Sequence, residues 1–162
     1  MKQISSIEHS QTLIDTTIVP DRNVKNENVS SHQSAGRIIW ENLTPKIWTP
    51  FDSRIEYCTK NEILGFQYQR ILQDDNQISM LMNGTILDCL SKQSYLIPNE
   101  YKMLSMEYRW GINICFFGTI YTDARGKYIR YIWIENKKFK KTFCRYLDST
   151  FDRSYVVAVT YR

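Results

Sequence analysis

The amino-acid sequence predicts an α+β domain: an antiparallel sheet of about four or five strands with about three helices, preceded by a flexible N-terminal arm. Two observations carry this prediction. Three segments place apolar residues at helical spacing, and β-branched and aromatic residues become dense after Pro98. A chain of 162 residues has room for one such domain and for its core.

The distribution of aromatic residues predicts where the folded part begins. All 22 lie between Trp40 and Tyr161, whereas the first 39 residues are rich in Ser, Thr, Asn and Gln. A segment without aromatic side chains buries little apolar surface to offset the entropy lost on ordering. We therefore predict a flexible arm over residues 1–36 and a single α+β domain over residues 37–162.

The first half of the domain contains two predicted helices. Residues 40–51 form an irregular lead-in punctuated by two prolines, and a short strand is expected over residues 54–59. Apolar residues then recur at helical spacing over residues 62–73 and 77–91, although each stretch contains a glycine. Both stretches are predicted to be helical.

The second half contains the predicted strands. Ile112–Thr122 and Lys127–Glu135 flank an Asp-Ala-Arg-Gly sequence, whose first and last residues suit a tight turn, so a hairpin is expected. Tyr155–Tyr161 is predicted to be the last strand. Between them, residues 137–147 return to helical spacing, with Phe139 and Phe143 on the buried side and basic residues on the opposite face.

Basic residues are concentrated in this second half. Residues 125–145 carry eight Lys or Arg against one acid, Glu135, in a protein of net charge +4. A positive surface made by the hairpin and the following helix would bind an anionic partner. The candidate binding residues are Arg125, Lys127, Arg130, Lys137, Lys138, Lys140, Lys141 and Arg145. A basic run is also commonly just a solvated helix face, which is the plainer interpretation.

Aromatic residues accompany the basic run. Tyr128 and Tyr131 point to opposite sides of their predicted strand, so one of them is expected to be exposed and available for stacking. Phe139 and Phe143 are expected to anchor the predicted helix in the core.

The sequence offers little for catalysis, and we expect a protein that is not an enzyme. His9 and His32, the only histidines, fall in the predicted arm, which cannot hold a catalytic group in place. Phosphate-binding glycine motifs are absent. Asp123 and Glu135 would lie at opposite ends of the hairpin, too far apart to share a metal ion. No catalytic residue, metal, cofactor or small-molecule substrate is therefore predicted.

The first 20 residues contain no continuous apolar run, so neither a signal peptide nor a transmembrane segment is expected. The four cysteines are widely spaced and suit reduced thiols. Both observations predict a cytoplasmic location, which for a viral protein would be the host cytoplasm or the virion.

The overall layout, a small basic chain with an N-terminal arm and one α+β domain, resembles that of the matrix proteins of rhabdoviruses and related negative-strand RNA viruses. The resemblance covers the layout only. It implies a structural protein that self-associates beneath an anionic membrane and condenses the nucleocapsid.

Three functions remain open at this stage. The first is a non-enzymatic assembly protein that forms homo-oligomers and binds an anionic membrane or nucleocapsid RNA. Residues 40–124 hold ten acids and seven bases, which would suit contact with the basic surface of another copy. The second is a nucleic-acid-binding host-takeover or silencing-suppressor protein, and the third is a protein inhibitor or immunity-type protein.

Overall fold

The computed structural model describes residues 11–20, 28–51 and 62–162. The strand expected over residues 54–59 lies outside the described residues. The described residues form three α-helices: α1 (Gly65–Asp74), α2 (Gly84–Lys92) and α3 (Asn99–Leu104). The described strands are β1 (Leu13–Asp15), β2 (Asn28–His32), β3 (Arg37–Ile39), β4 (Lys46–Trp48), β5 (Glu62–Leu64), β6 (Ile78–Leu81), β7 (Ile112–Thr122), β8 (Lys127–Glu135), β9 (Lys138–Tyr146), β10 (Thr150–Asp152) and β11 (Tyr155–Tyr161).

The α+β class is confirmed, with a main sheet of seven described strands rather than four or five. Five of them follow one another in the order β4, β11, β7, β8, β9, while β2 pairs with β7 and β6 pairs with β11. The β11–β7 pair is parallel and the other described pairs are antiparallel. The predicted β7–β8 hairpin and the last strand are confirmed at their predicted bounds.

Both faces of the main sheet are covered, and its side chains alternate between two cores. Ile114 and Ile132 pack with residues of α2 and α3, whereas Cys115 and Ile129 pack with Tyr68 and Leu72 of α1. A strand buried on both faces has few polar positions. This explains the nearly unbroken apolar run of β7.

The two helices predicted in the first half are shorter than expected. Each stretch begins with a strand, β5 or β6, and its glycine is the first residue of the helix that follows. The Asn83 side chain caps α2 by accepting hydrogen bonds from the backbone N–H groups of Thr85 and Ile86. The glycine of each stretch therefore marks a helix start.

The helix predicted over residues 137–147 is wrong, because this segment is the strand β9. Asn136 and Lys137 have φ values of 52° and 68°, the positive values that a two-residue type I′ turn requires. Glu135 pairs with Lys138 directly across this turn. The chain therefore reverses at once and returns along β8 as a second hairpin.

A bulge in β9 explains why the spacing of Phe139 and Phe143 resembled that of a helix. Phe139 pairs with Ile134, but Lys141 pairs with Trp133, so Lys140 is one extra residue in the strand. The bulge moves Phe139 to the face covered by α2 and leaves Phe143 on the face covered by α1. Four residues apart, the two rings thus lie on opposite sides of the sheet.

The described parts of the predicted arm are paired with the domain. β1 pairs with β3, and β2 pairs with β7. The Ile14 side chain is buried in the core beside α2, and Thr16 is buried as well. The structure therefore shows no boundary at residue 37 within the described residues. Strand pairing and the buried Ile14 side chain hold this segment on the domain, although it has no aromatic residue.

Candidate binding surface

The strand β9 forms one edge of the main sheet, and among the described strands it pairs only with β8. Lys138, Lys140 and Lys141 are exposed along it. Lys138 lies opposite Glu135 in the register, which offsets part of its charge. Within the described residues, Lys140 and Lys141 have no carboxylate within ion-pair distance. These two lysines are the most available cations of the strand.

Arg130 and Arg145, two of the eight candidate binding residues, are engaged inside the domain. Arg130 lies on the face covered by α2, and its Nη1 is 3.3 Å from Oδ1 of Asp88. Arg145 Nε donates a hydrogen bond of 2.8 Å to the carbonyl oxygen of Thr150. Its guanidinium group also lies over the ring of Tyr155, 4.7 Å from the centroid. Both arginines therefore stabilise the fold rather than extend a binding surface.

Arg125 and Lys127 lie at the other end of the hairpin from the β8–β9 turn. The nine residues of β8, at about 3.3 Å each, put the two ends roughly 25 Å apart. The Arg125 guanidinium carbon is 4.1 Å from the ring centroid of Tyr146. The Tyr146 hydroxyl donates to Asp123, which lowers the pKa of that carboxyl and raises the pKa of Tyr146 to about 12.

The eight candidate residues therefore do not form one continuous surface. Lys137, Lys138, Lys140 and Lys141 lie on the β8–β9 turn and along the adjoining part of β9. The other four are either engaged in the fold or located at the far end of the hairpin. Two causes combine: the length of β8 separates Arg125 and Lys127 from the lysines of β9, and contacts with Asp88 and Thr150 hold Arg130 and Arg145 against the domain.

The two tyrosines proposed for stacking have different environments. Tyr128 is buried between Tyr121 and Tyr146, with ring centroids 5.2 Å from each. It is therefore not available to a ligand. Tyr131 is half-buried, and burial raises its pKa. Its ring stacks on that of Phe143, with centroids 5.6 Å apart and planes inclined by 27°.

The exposure of Phe143 and Trp110 was not expected from the sequence. Phe143 is 37% exposed, not a core anchor, and Trp110 is 73% exposed. Trp133 is partly buried and lies 6.4 Å from Phe143 between ring centroids. In a strand, Phe143 and Lys141 lie on the same face, because side chains alternate with a period of two. The helical spacing of residues 137–147 led us to expect a helix instead, so this pairing was not predicted.

Gly111 holds Trp110 next to Trp133. Its φ is +86°, and a Cβ at this position would lie 2.4 Å from the carbonyl oxygen of Ile134. Only glycine permits this close backbone approach. The indole N–H of Trp133 donates a 2.9 Å hydrogen bond to the carbonyl oxygen of Trp110. The Trp133 indole and the Trp110 backbone are thus fixed at the same end of the hairpin as the lysines of β9.

His32 is held by the domain, contrary to its expected place in a free arm. Its Nε2 lies 2.8 Å from the carbonyl oxygen of Thr16, and its Nδ1 lies 2.8 Å from the hydroxyl of Thr119. These bonds give the imidazole a structural role in joining β2 to β7. His9 lies outside the described residues.

Across residues 11–20, 28–51 and 62–162, no three His, Cys, Asp or Glu side chains group as metal ligands. Cys89 is partly buried, Cys115 is buried and Cys144 is exposed. In the part of the chain that the structure describes, no helix has the length and apolar character needed to cross a membrane. Comparisons with protein-family models, curated proteins and solved structures find no match to this chain.

Proposed function

We propose that this protein is a non-enzymatic binding protein that holds RNA along the edge strand β9. The observation that carries the proposal is the position of Lys140 and Lys141, exposed on a sheet edge beside the partly exposed ring of Phe143. Lysine ammonium groups bind phosphate oxygens and release counterions from the polyanion, which provides affinity without sequence recognition.

Lysines on an edge strand also have a second role, since they prevent the edge from pairing with another sheet. That role explains charge at β9 but does not explain exposed aromatic rings beside it. Trp110 and Phe143 add apolar surface, which works against solubility unless a ligand uses it. The combination therefore favours a binding surface over edge protection alone.

RNA fits this surface better than a membrane does. Lys140 and Lys141 lie along one strand. A flexible RNA backbone can run along this strand while its bases contact the sheet face that carries Phe143. A bilayer favours a broad basic face, whereas Lys140 and Lys141 lie on one strand edge and Arg130 and Arg145 are engaged in the fold. Membrane binding is therefore the competing outcome of the test.

The test is binding of the full chain to a labelled single-stranded RNA, measured by fluorescence anisotropy over a salt series. The variant Lys140→Gln/Lys141→Gln should weaken binding at low salt and make the slope of log K against log [salt] shallower by about 1.4, since each lost phosphate contact removes about 0.7. The matched control Lys92→Gln/Lys127→Gln removes the same charge from α2 and from the far end of the hairpin, and its slope should stay close to that of the wild type.

Flotation with vesicles containing anionic lipid is measured in parallel. Vesicle binding without RNA binding would overturn the RNA proposal in favour of the membrane. Equal slopes for the two double variants would show that affinity comes from net charge and not from β9.

A further inference from the structure

A row of aromatic rings extends from the core beneath α1 to the solvent at β9. Phe151 lies 5.2 Å from Tyr155, and Tyr155 lies 5.2 Å from Tyr131, between ring centroids. The ring of Tyr131 lies 5.6 Å from that of Phe143, and the ring of Phe143 lies 6.4 Å from that of Trp133. We call Tyr131, Phe143 and Trp133 the aromatic ladder. Tyr131 is half-buried, Trp133 is partly buried, and Phe143 is the most exposed of the three, at 37%.

The ladder is held rigidly in place. Tyr131 and Trp133 come from alternate positions of β8, and Phe143 comes from the facing position of β9, opposite Tyr131. Cross-strand packing on one face and the hydrogen bond from Trp133 to Trp110 restrict the rings. A ligand that stacks on such rings loses less affinity to side-chain ordering than one that binds mobile side chains.

A cation lies over each exposed ring. Lys141 Nζ is over the ring of Phe143, 5.2 Å from its centroid, and the guanidinium carbon of Arg109 is over the ring of Trp110, 5.1 Å from its centroid. A ligand suited to this arrangement combines a flat, apolar ring with negative charge a short distance away. A nucleotide within a single strand has both, with its base on a ring and its phosphate near an ammonium group.

We propose that the aromatic ladder binds unpaired bases, so that the protein prefers single-stranded nucleic acid to a duplex; this inference rests on the proposed RNA-binding function. Phe143, the most exposed ring of the ladder, receives the base. The ammonium group of Lys141 leaves the ring face and, together with that of Lys140, contacts the adjoining phosphates. A duplex presents its phosphates to the lysines but keeps its bases stacked on one another, and it gains nothing from the ladder.

The experiment compares binding of a 12-nucleotide single strand with binding of the duplex of the same sequence. Phe143→Leu keeps an apolar side chain but removes the π-face. It should weaken single-strand binding by about tenfold, since stacking on one aromatic ring contributes about 1 to 3 kcal/mol per base. The salt slope should stay the same, because no phosphate contact is lost. Phe143→Tyr should retain wild-type affinity.

Tyr95→Leu is the control, since it removes an exposed ring near α2, on the opposite side of the sheet. It should bind like the wild type, and thermal melting followed by circular dichroism verifies that each variant folds. Equal affinity for single strand and duplex, unchanged by Phe143→Leu, would overturn the ladder proposal while the lysine contacts stand. Loss of binding to both nucleic acids in the wild type would overturn the ladder and the proposed function together.

Discussion

Arg130 shows how a side chain that looks like a ligand contact can belong to the fold. Its guanidinium group meets Asp88, 42 residues earlier in the chain, on the sheet face that α2 covers. The two side chains retain only 14% and 18% of their exposure. Charges removed from water to this extent are stable only when paired, so the contact makes Arg130 part of the packing between α2 and β8.

Replacing Arg130 with Met should lower the free energy of unfolding by about 2 to 4 kcal/mol, because Asp88 would lose this ion pair while its side chain stays largely buried. Chemical denaturation followed by tryptophan fluorescence measures the change. The RNA salt slope should stay at its wild-type value. Lys127→Met, at an exposed site, should leave the unfolding free energy within about 0.5 kcal/mol of the wild type. Unchanged stability in Arg130→Met would return this residue to the set of binding candidates.

At the scale of elements, β9 is where sequence and structure differ most. Lysines favour helices, and phenylalanines four apart resemble a helical stripe, so local propensity and spacing both indicated a helix. Neither takes account of the turn at Asn136 and Lys137 or of the hydrogen-bonding edge of β8. The two-residue turn brings residues 138–146 alongside β8, which satisfies their backbone hydrogen-bonding groups. Helix propensity takes no account of such a partner strand.

The variant Lys137→Gly distinguishes the two conformations by the sign of its effect. In the turn, where φ is 68°, glycine relieves the cost of a left-handed conformation and should raise the free energy of unfolding by up to about 1 kcal/mol. In a helix the same change would lower it by about 1 kcal/mol. Lys137→Val provides the opposite case and should be destabilising, because a β-branched side chain is unfavourable at positive φ. Urea denaturation measures all three proteins.

At the scale of the whole molecule, the N-terminal residues decide how large the domain is. Thr12 and Glu41 are joined by hydrogen bonds, β1 lies against β3, and His32 connects β2 to β7. These contacts are spread over the surface of the domain and involve short strands with few apolar side chains. They tie the segment to the fold through hydrogen bonds more than through burial.

Ile14 and Leu13 provide a matched test of this larger domain. Ile14 is 4% exposed and Leu13 is 64% exposed, although they are neighbours in β1. Ile14→Ala should lower the free energy of unfolding by about 2 to 4 kcal/mol, because it leaves a cavity beside α2, whereas Leu13→Ala should change it by less than 0.5 kcal/mol. A free arm would make both changes silent. Thermal unfolding of the two variants separates these cases.

Self-association through opposite charges is also a property of the whole molecule, and it stays a prediction. The basic edge of β9 would meet the more acidic first half of another copy. Sedimentation velocity at low and high salt, with and without RNA, measures it directly.

Features that depend on neighbouring residues could be predicted from the sequence alone. The two strands β7 and β8, the Asp123 turn between them and the apolar last strand were all predicted at their observed bounds, because strand propensity and turn chemistry are local. It also located the excess of positive charge. The sequence could not show which of those charges reach solvent.

Which charged and aromatic side chains are available to a partner depends on the tertiary fold. Arg130 is engaged by Asp88, Arg145 is engaged by Thr150, and Tyr128 is buried between two other tyrosines. The bulge at Lys140 moves Phe139 to the face covered by α2 and leaves Phe143 on the opposite face, stacked on Tyr131. The physical reason is that burial and pairing depend on residues far apart in the chain, which composition and periodicity do not relate to one another.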